Sequence, residues 1–397
     1  MLALILLSVS LFLLCYTYIL YPLILNILSS IYSIKIGNPS SIDHTYEVFI
    51  LMAAHNEESV ILDKLRSINK SDYPAEKVKI YIGSDNSIDG TNDLIKSYID
   101  KCKYPIFFHV MEKRSGKVGT INQLYRSILK ANTLNDKSIF ICTDANVIFH
   151  EKTITNLVRN FSDSNIGIVD TQIQNLAQNE HGVFESESTY LNREVKLKYQ
   201  EGKLFGNLMG AFGGCFAIRA TCFQIIPENL RVDDFFLSMQ TMIKGYKIIS
   251  EPKAICYEKV GLTFNEEFKR KRRISSGNFQ NLAHFKKHIL PINKLGIIFF
   301  SHKVIRYIGP LLMLLTFISS IYLAIYGEHF FTLLLMAQGI WYAGIPLIDI
   351  LFQKFGINIV ALRNVRYFNY MNLALLLGFK DYINGIESNI WEPTKRA

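Results

Sequence analysis

The 397-residue sequence predicts an α/β domain with a mainly parallel sheet, flanked by membrane-spanning helices. Three observations predict it. Long uncharged apolar runs sit at the two ends of the chain, which is 49% hydrophobic as a whole. Between them, short runs rich in Ile, Val and Phe alternate with polar stretches of helical length. Several of these runs stop at a carboxylate or amide side chain, the place where open α/β sheets hold their ligands. A chain of this length buries a substantial core.

The elements follow in order. Leu2 to Ile34 carries no charged side chain, and roughly 20 apolar residues suffice to cross a bilayer. No Lys or Arg precedes the apolar core, and the core exceeds that of a signal peptide, so residues 1–34 are expected to be an uncleaved anchor. Lys35 and the Lys-rich middle then place the N-terminus outside and the middle in the cytosol. Residues 46–263 are expected to form one domain. Its strands are Val48–Ala53, Val78–Gly83, Ile106–Val110, Ile139–Thr143 and Ile166–Asp170, and helices Glu57–Asn69, Thr91–Lys101 and Lys117–Ala131 connect the first four. Buried strands joined by helices imply a sheet covered on both faces. Phe184–Tyr199 reads as a mixed-charge helix, 202–214 as a Gly-rich flexible loop and Cys215–Ile218 as a strand. Asp233–Lys244 reads as a helix stopped by Gly245. Residues 264–303 form a basic amphipathic, interfacial segment, and 304–352 hold two spans, Ile308–Tyr326 and Phe330–Ile348. Residues 353–397 contain a short apolar stretch, Tyr367–Phe379, which is a third span after the anchor or a re-entrant segment, and then a tail.

The net charge of +9 suits an anionic membrane face or a nucleotide. The sequence carries no nucleic-acid fold signature. Its six Cys are scattered without a CxxC pair, which excludes a disulfide framework and fits a cytosolic middle domain.

Four stretches carry chemistry. In Phe140–Phe149, FICTDANVIF, a buried strand ends at Asp144-Ala145-Asn146, where Asp144 is expected to hold a divalent ion and the ion a nucleotide diphosphate. Ala53 to Glu58, AAHNEE, opens a helix after the first strand. Its acids face a nucleotide or simply complement the helix dipole. In Gly83 to Thr91, Asp85 is placed to accept hydrogen bonds from a base or ribose, while Asp89-Gly90-Thr91 also reads as a turn and helix cap. Lys113 to Lys117, KRSGK, sets cations at a helix start, which favours an anion there or marks a solvated basic turn.

The ordered set AHNEE, SDNSIDGT, RSGKVGTIN, TDAN, GCFAIR, DDF and EFKRKRRISSGNFQ closely resembles the membrane-bound family 2 glycosyltransferases, which have a GT-A nucleotide-sugar fold. These include hyaluronan, cellulose and poly-N-acetylglucosamine synthases. The resemblance covers Val48 to about Gln280, with weaker extensions into 301–306 and the Trp391–Arg396 tail. It implies that 46–263 is the GT-A catalytic domain, that Asp85 recognises the base, and that Ala54, Asn56, Glu57, Lys117 and Arg273 line the nucleotide-sugar site. It makes Asp144 the first position of the metal motif, with Asn146 the second ligand for Mn or Mg, and Asp234 the general base beside Asp233. Gly210–Arg219 would shape the acceptor side.

Two departures stand out. The metal motif ends in Asn146 rather than Asp, an amide oxygen that still suits a hard cation. Ile274 replaces the Trp of the processive motif, of which Arg273 is kept. The resemblance therefore implies an inverting enzyme that moves one sugar from a nucleoside-diphosphate donor, UDP-linked by expectation, to a saccharide or lipid-linked acceptor. The product would be a bacterial cell-surface polysaccharide or glycolipid. A processive synthase is the alternative within that class. A nonenzymatic membrane scaffold or transport component with a degenerate nucleotide-sugar fold is the alternative outside it.

Overall fold

The computed structural model describes residues 1–34, 45–176, 183–259, 264–290, 292–327 and 329–386. Lys35 and the Trp391–Arg396 tail lie outside the described residues. In chain order, helices α1 (Leu2–Cys15) and α2 (Tyr21–Ile31) run on through a π-helical turn. There follow β1 (Glu47–Ala54), α3 (Ile61–Asn69), β2 (Val78–Ser84), α4 (Thr91–Tyr98), β3 (Ile106–Val110), α5 (Gly116–Ala131), β4 (Ser138–Thr143) and β5 (Ile148–Phe149). Next come α6 (Thr153–Val158), β6 (Ile166–Leu176), α7 (Val183–Phe205), β7 (Cys215–Arg219), α8 (Asp233–Ile243) and β8 (Lys247–Lys259). The chain continues as α9 (Phe264–His284), α10 (Lys294–Phe299), α11 (Ile305–Tyr326), α12 (His329–Gly339), α13 (Ile345–Lys354) and α14 (Val360–Ile383). It divides into two compact units, one of residues 29–178, 195–260 and 386–397, the other of 1–28, 179–194 and 261–385.

The first unit holds an eight-stranded sheet in the order β3-β2-β1-β4-β7-β6-β8-β5. Strands β1 and β4 lie in its interior because apolar or small side chains fill both of their faces. All of β4, and all of β1 except Glu47, are buried. Strand β1 pairs in parallel with β2 on one side and β4 on the other. The connections therefore diverge between β1 and β4, and the crevice at their carboxyl ends is where such sheets bind ligands. The sheet is mixed beyond β4, since β7 runs antiparallel to both β4 and β6. That reversal places Gly214 beside the end of β4, where the Asp144 N–H donates to the Gly214 carbonyl at 2.9 Å. Cys142, Cys215 and Cys256 are buried free thiols of this sheet.

The stretch 202–214 departs from the expected flexible loop. Helix α7 continues to Phe205, and Leu208 and Met209 are fully buried. Polar side chains fix the rest: Glu201 accepts the Met209 N–H at 3.0 Å, Ser238 that of Ala211 at 3.0 Å, and Asp170 that of Phe212 at 2.6 Å.

The second unit is helical. Three helices, Leu2–Ile31, Lys294–Tyr326 and His329–Lys354, are long and apolar enough to cross a membrane, and the protein is membrane-embedded. The span expected from Ile308 is the later part of a helix that begins at Lys294. The stretch Tyr367–Phe379 lies inside the longer α14, which is not among these spans. Helix α14 packs along α9. Asp381 grips Arg272 through two contacts of 2.6 Å, and Ser275 donates to the Leu375 carbonyl at 2.9 Å. A Cβ on Gly378 would lie 2.5 Å from that of Ser275, so the helices touch there because Gly378 has none. Arg306 binds Glu194 on α7 at 2.6 Å, together with Lys303 at 3.0 Å and His302 at 2.8 Å. Burial pushes the Glu194 carboxyl up, but Lys303 and Arg306 with the His302 hydrogen bond outweigh it and hold it well below the usual range.

Candidate active site

The site is built where β1, β2 and β4 end. The loops after β1 and β2 are stitched to each other. The Ala54 carbonyl accepts the Asp85 N–H at 2.8 Å, and the Asn56 N–H donates to Ser87 Oγ at 3.2 Å. Asn56 Oδ1 accepts the Ile88 N–H at 2.9 Å, and the Glu57 N–H donates to Thr91 Oγ1 at 2.8 Å. Asn56 and Asn86 both take positive φ, 53° and 54°, a conformation Asn tolerates better than most residues. Ala54, Asn56 and Glu57 thus lie in the loop after β1, and these hydrogen bonds join it to the loop after β2.

Asp85 is fully buried, and both carboxylate oxygens are engaged. Oδ1 accepts the Ser115 N–H at 2.6 Å, and Oδ2 accepts from Gly116 N–H at 3.1 Å and Arg114 Nε at 3.2 Å. Arg114 in turn meets His55 Nε2 at 2.8 Å, while His55 Nδ1 lies 2.8 Å from the Asp85 carbonyl. In this arrangement Asp85 satisfies the open N–H groups at the start of α5. The sequence shows the strand-end acid but not that its oxygens are occupied.

Lys117, one residue further along α5, reaches the end of β4. Its Nζ lies 2.8 Å from Asp144 Oδ1 and 3.6 Å from Asp233 Oδ1, and 3.4 Å from the Gly213 carbonyl. Burial disfavours this ammonium, yet Asp144, Asp233 and Asp234 outweigh burial and raise its pKa above the ordinary lysine value. The fold thus gathers into one place the acids that lie about 90 residues apart in the chain. Asp233 and Asp234 open helix α8, where the N-terminal dipole also favours them. The Asp234 carboxyl is pushed up to about 6, first by burial and then by the charge of Asp233 beside it. A Cβ on Gly213 would stand 2.5 Å from Asp234 Oδ2, so any other residue at 213 would displace that carboxylate.

Asn146 is buried, and its amide N–H donates to Glu258 on β8 at 3.1 Å. Arg273 belongs to the helical unit, on α9, and is exposed. Among the described residues no three His, Cys, Asp or Glu side chains converge as a ready-made metal cage. The donor set still fits Mg²⁺ or Mn²⁺, since such hard cations are commonly held by one or two carboxylates with substrate phosphates and water completing the shell.

Lys64 belongs to no motif that the sequence singles out. It falls in the polar connection after β1, yet it is fully buried on α3. The signal was present: Ile61, Lys64, Leu65 and Ile68 fall at i, i+3, i+4 and i+7, so Lys64 occupies the apolar stripe. Burial pulls its pKa down to about 8.

A family model described as glycosyl transferase family group 2 matches residues 139–352, and one described as glycosyl transferase family 2 matches residues 49–225. The chain belongs to the family 2 glycosyltransferases. Among curated relatives, this glycosyltransferase is similar to a probable glycosyltransferase, YdaM, of Bacillus subtilis. Identity is 22% over 64% of this chain, and the match spans 60% of the relative's length. It is also similar to the poly-beta-1,6-N-acetyl-D-glucosamine synthase of Staphylococcus aureus, at 23% identity over 70% of this chain and 68% of that protein. Among solved structures it shares the fold of a mannosyltransferase, PcManGT, from Pyrobaculum calidifontis, which was solved with GDP-Man and Mn²⁺. That comparison has a TM-score of 0.70 and 17% identity, and covers 95% of this chain and 99% of the other. The likeness shows a shared GT-A-like fold.

Proposed function

We propose that the chain transfers a single sugar, with inversion, from a nucleoside-diphosphate sugar to an acceptor hydroxyl at the cytosolic face of a bacterial membrane. UDP-sugars are the leading donors, and cell-surface polysaccharide or glycolipid is the product class. The observation that carries the reading is the cluster of Asp144, Asp233 and Asp234 around the Lys117 ammonium at the end of β4.

In this reading the acceptor oxygen bonds to the anomeric carbon as the bond from that carbon to the diphosphate oxygen breaks. The hydroxyl proton passes to Asp234. With a pKa of about 6, Asp234 is ionised at neutral pH and a better proton acceptor than an ordinary aspartate. Gly213 keeps its carboxylate in place. Lys117, charged at any physiological pH, offsets the negative charge that grows on the leaving diphosphate. Asp144, with Asn146 two residues further on or Asp233 beside the same Lys117 ammonium, would hold a Mn²⁺ or Mg²⁺ ion, which when bound supplies Lewis-acid stabilisation of the diphosphate. Asp85 keeps the amino end of α5, and with it Lys117, in register with the crevice. One attacking oxygen and one leaving group require no covalent enzyme intermediate, hence inversion.

Similarity to the poly-N-acetylglucosamine synthase favours a second reading, processive synthesis. Ile274 at the position of the processive Trp speaks against it. Purified full-length protein, given a panel of UDP- and GDP-sugars with and without Mn²⁺, should release nucleotide diphosphate and yield a one-sugar product, whereas a long product ladder would favour the synthase. Asp234→Asn should lower kcat by about 10²–10⁴-fold, the usual range for loss of a general base. Full activity in that variant would overturn its assignment.

A further inference from the structure

Lys64 forms no ion pair among the described residues, although it is wholly enclosed. Its Nζ donates to Thr143 Oγ1 at 2.8 Å and to the Val147 carbonyl, and lies 3.6 Å from the centre of the Phe149 ring. These partners bracket one turn. Thr143 immediately precedes Asp144, and Val147 immediately follows Asn146. The turn is closed by the Val147 N–H donating to the Asp144 carbonyl at 3.3 Å. Thr143 Oγ1, while accepting from Lys64, donates to the Gly214 carbonyl at 3.1 Å. One ammonium therefore ties the entry and exit of the Asp144 turn together, and through Thr143 ties them to the glycine loop that lies against Asp234.

The energetics make this placement informative. Burying an ammonium without a carboxylate partner costs several kcal/mol, and an apolar side chain of like size would pack the stripe at lower cost. Ile61, Leu65 and Ile68 already supply the apolar contacts of α3. What the lysine adds over a methionine is donor capacity aimed at the turn.

We propose that Lys64 is a positioning residue for the donor site: it clips Thr143 to Val147 and so fixes the direction in which Asp144 presents its carboxylate. The proposal rests on the reading of Asp144 as the metal and diphosphate position. Lys64 touches no substrate in this account. It acts as the outer hydrogen-bonding partner of a metal-ligand turn, a role whose loss typically weakens metal affinity about 10–100-fold.

The test uses full-length protein in detergent and Lys64→Met, which keeps length and apolar volume. Amide hydrogen exchange across 144–147 without nucleotide reads the turn itself. Mn²⁺ affinity with UDP present, followed by the spin resonance of the free ion, reads its consequence. The expected result is faster exchange at the turn, Mn²⁺ affinity weakened about 10–100-fold, a raised Mn²⁺ requirement, and kcat largely retained at saturating Mn²⁺. Unchanged exchange and unchanged Mn²⁺ affinity would reduce Lys64 to a core filler and overturn the proposal. If Lys64→Met does not fold, Thr143→Val removes one acceptor while keeping the side-chain shape, and the same two readouts decide. Wild-type protein that binds neither Mn²⁺ nor UDP would refute the Asp144 reading, while the exchange measurement would still judge the clip.

Discussion

Two strand-end aspartates sit at neighbouring positions of the same crevice and are used in opposite ways. Asp85, after β2, is fully buried and takes hydrogen bonds from Ser115, Gly116 and Arg114. Asp144, after β4, keeps a side chain that is 36% exposed and meets the Lys117 ammonium. The first fastens the start of α5 through both of its oxygens. The second is partly exposed: its carboxylate meets only the Lys117 ammonium among the contacts described above, and Lys64 holds the turn on either side of it. A crevice of this kind needs both: one acid to hold the helix that brings Lys117, and one to be left for a ligand.

The comparison separates activity from stability, and substitutions can break it. The largest expected effect falls on turnover. Asp144→Ala should lower kcat/KM by about 10²–10³-fold, equivalent to several kcal/mol of lost charge stabilisation, and leave the melting temperature near wild type. A differential scan beside a donor-turnover assay checks both halves. Asp85→Ala should act on stability first, with turnover falling as Lys117 loses its register. It strands buried N–H groups at the head of α5, each worth about 1–3 kcal/mol, so the melting temperature should fall by roughly 5–10 °C. An unchanged melting curve would show that Asp85 is not the fastener described. The smallest effect sharpens the catalytic side. Activity needs Asp234 ionised, so kcat/KM should rise with pH through about 6 and level off above it. Asp233→Asn removes the neighbouring negative charge, lowers the Asp234 pKa, and should move that acid limb to lower pH. A pH–rate profile of both proteins decides; an unmoved limb would assign it to another group.

Much of the sheet was legible because its strands are short apolar runs with turn residues at their ends. The expected strands at β1 to β4 differ from those observed by no more than a residue at each end. Strand β8 was not legible. Its sequence, KIISEPKAICYEK, has Glu251, Pro252 and Lys253 in the middle, and the strand accommodates them through a register irregularity between Ser250 and Ile255. Periodicity cannot see a strand that is interrupted and resumed. The three apolar helices were visible as uncharged runs, but the Glu194 pairing that claims Arg306 joins residues 112 apart and leaves no local trace. At the site, acids at strand and helix ends were readable one by one. Their convergence on Lys117 depends on the antiparallel entry of β7, which no local pattern encodes. Lys64 was readable in principle, as a cation on the apolar stripe of α3, since a lysine there must have somewhere buried to put its charge.

The central claim is that Asp144 is the acid left for a metal-bound diphosphate. Its most direct test is an Mn²⁺ titration of nucleotide-diphosphate release from a UDP-sugar and its acceptor, run on wild-type protein and Asp144→Ala. Saturable Mn²⁺ dependence in the wild type that is lost in the variant is the predicted result. The same half-saturation and the same plateau in both proteins would contradict it.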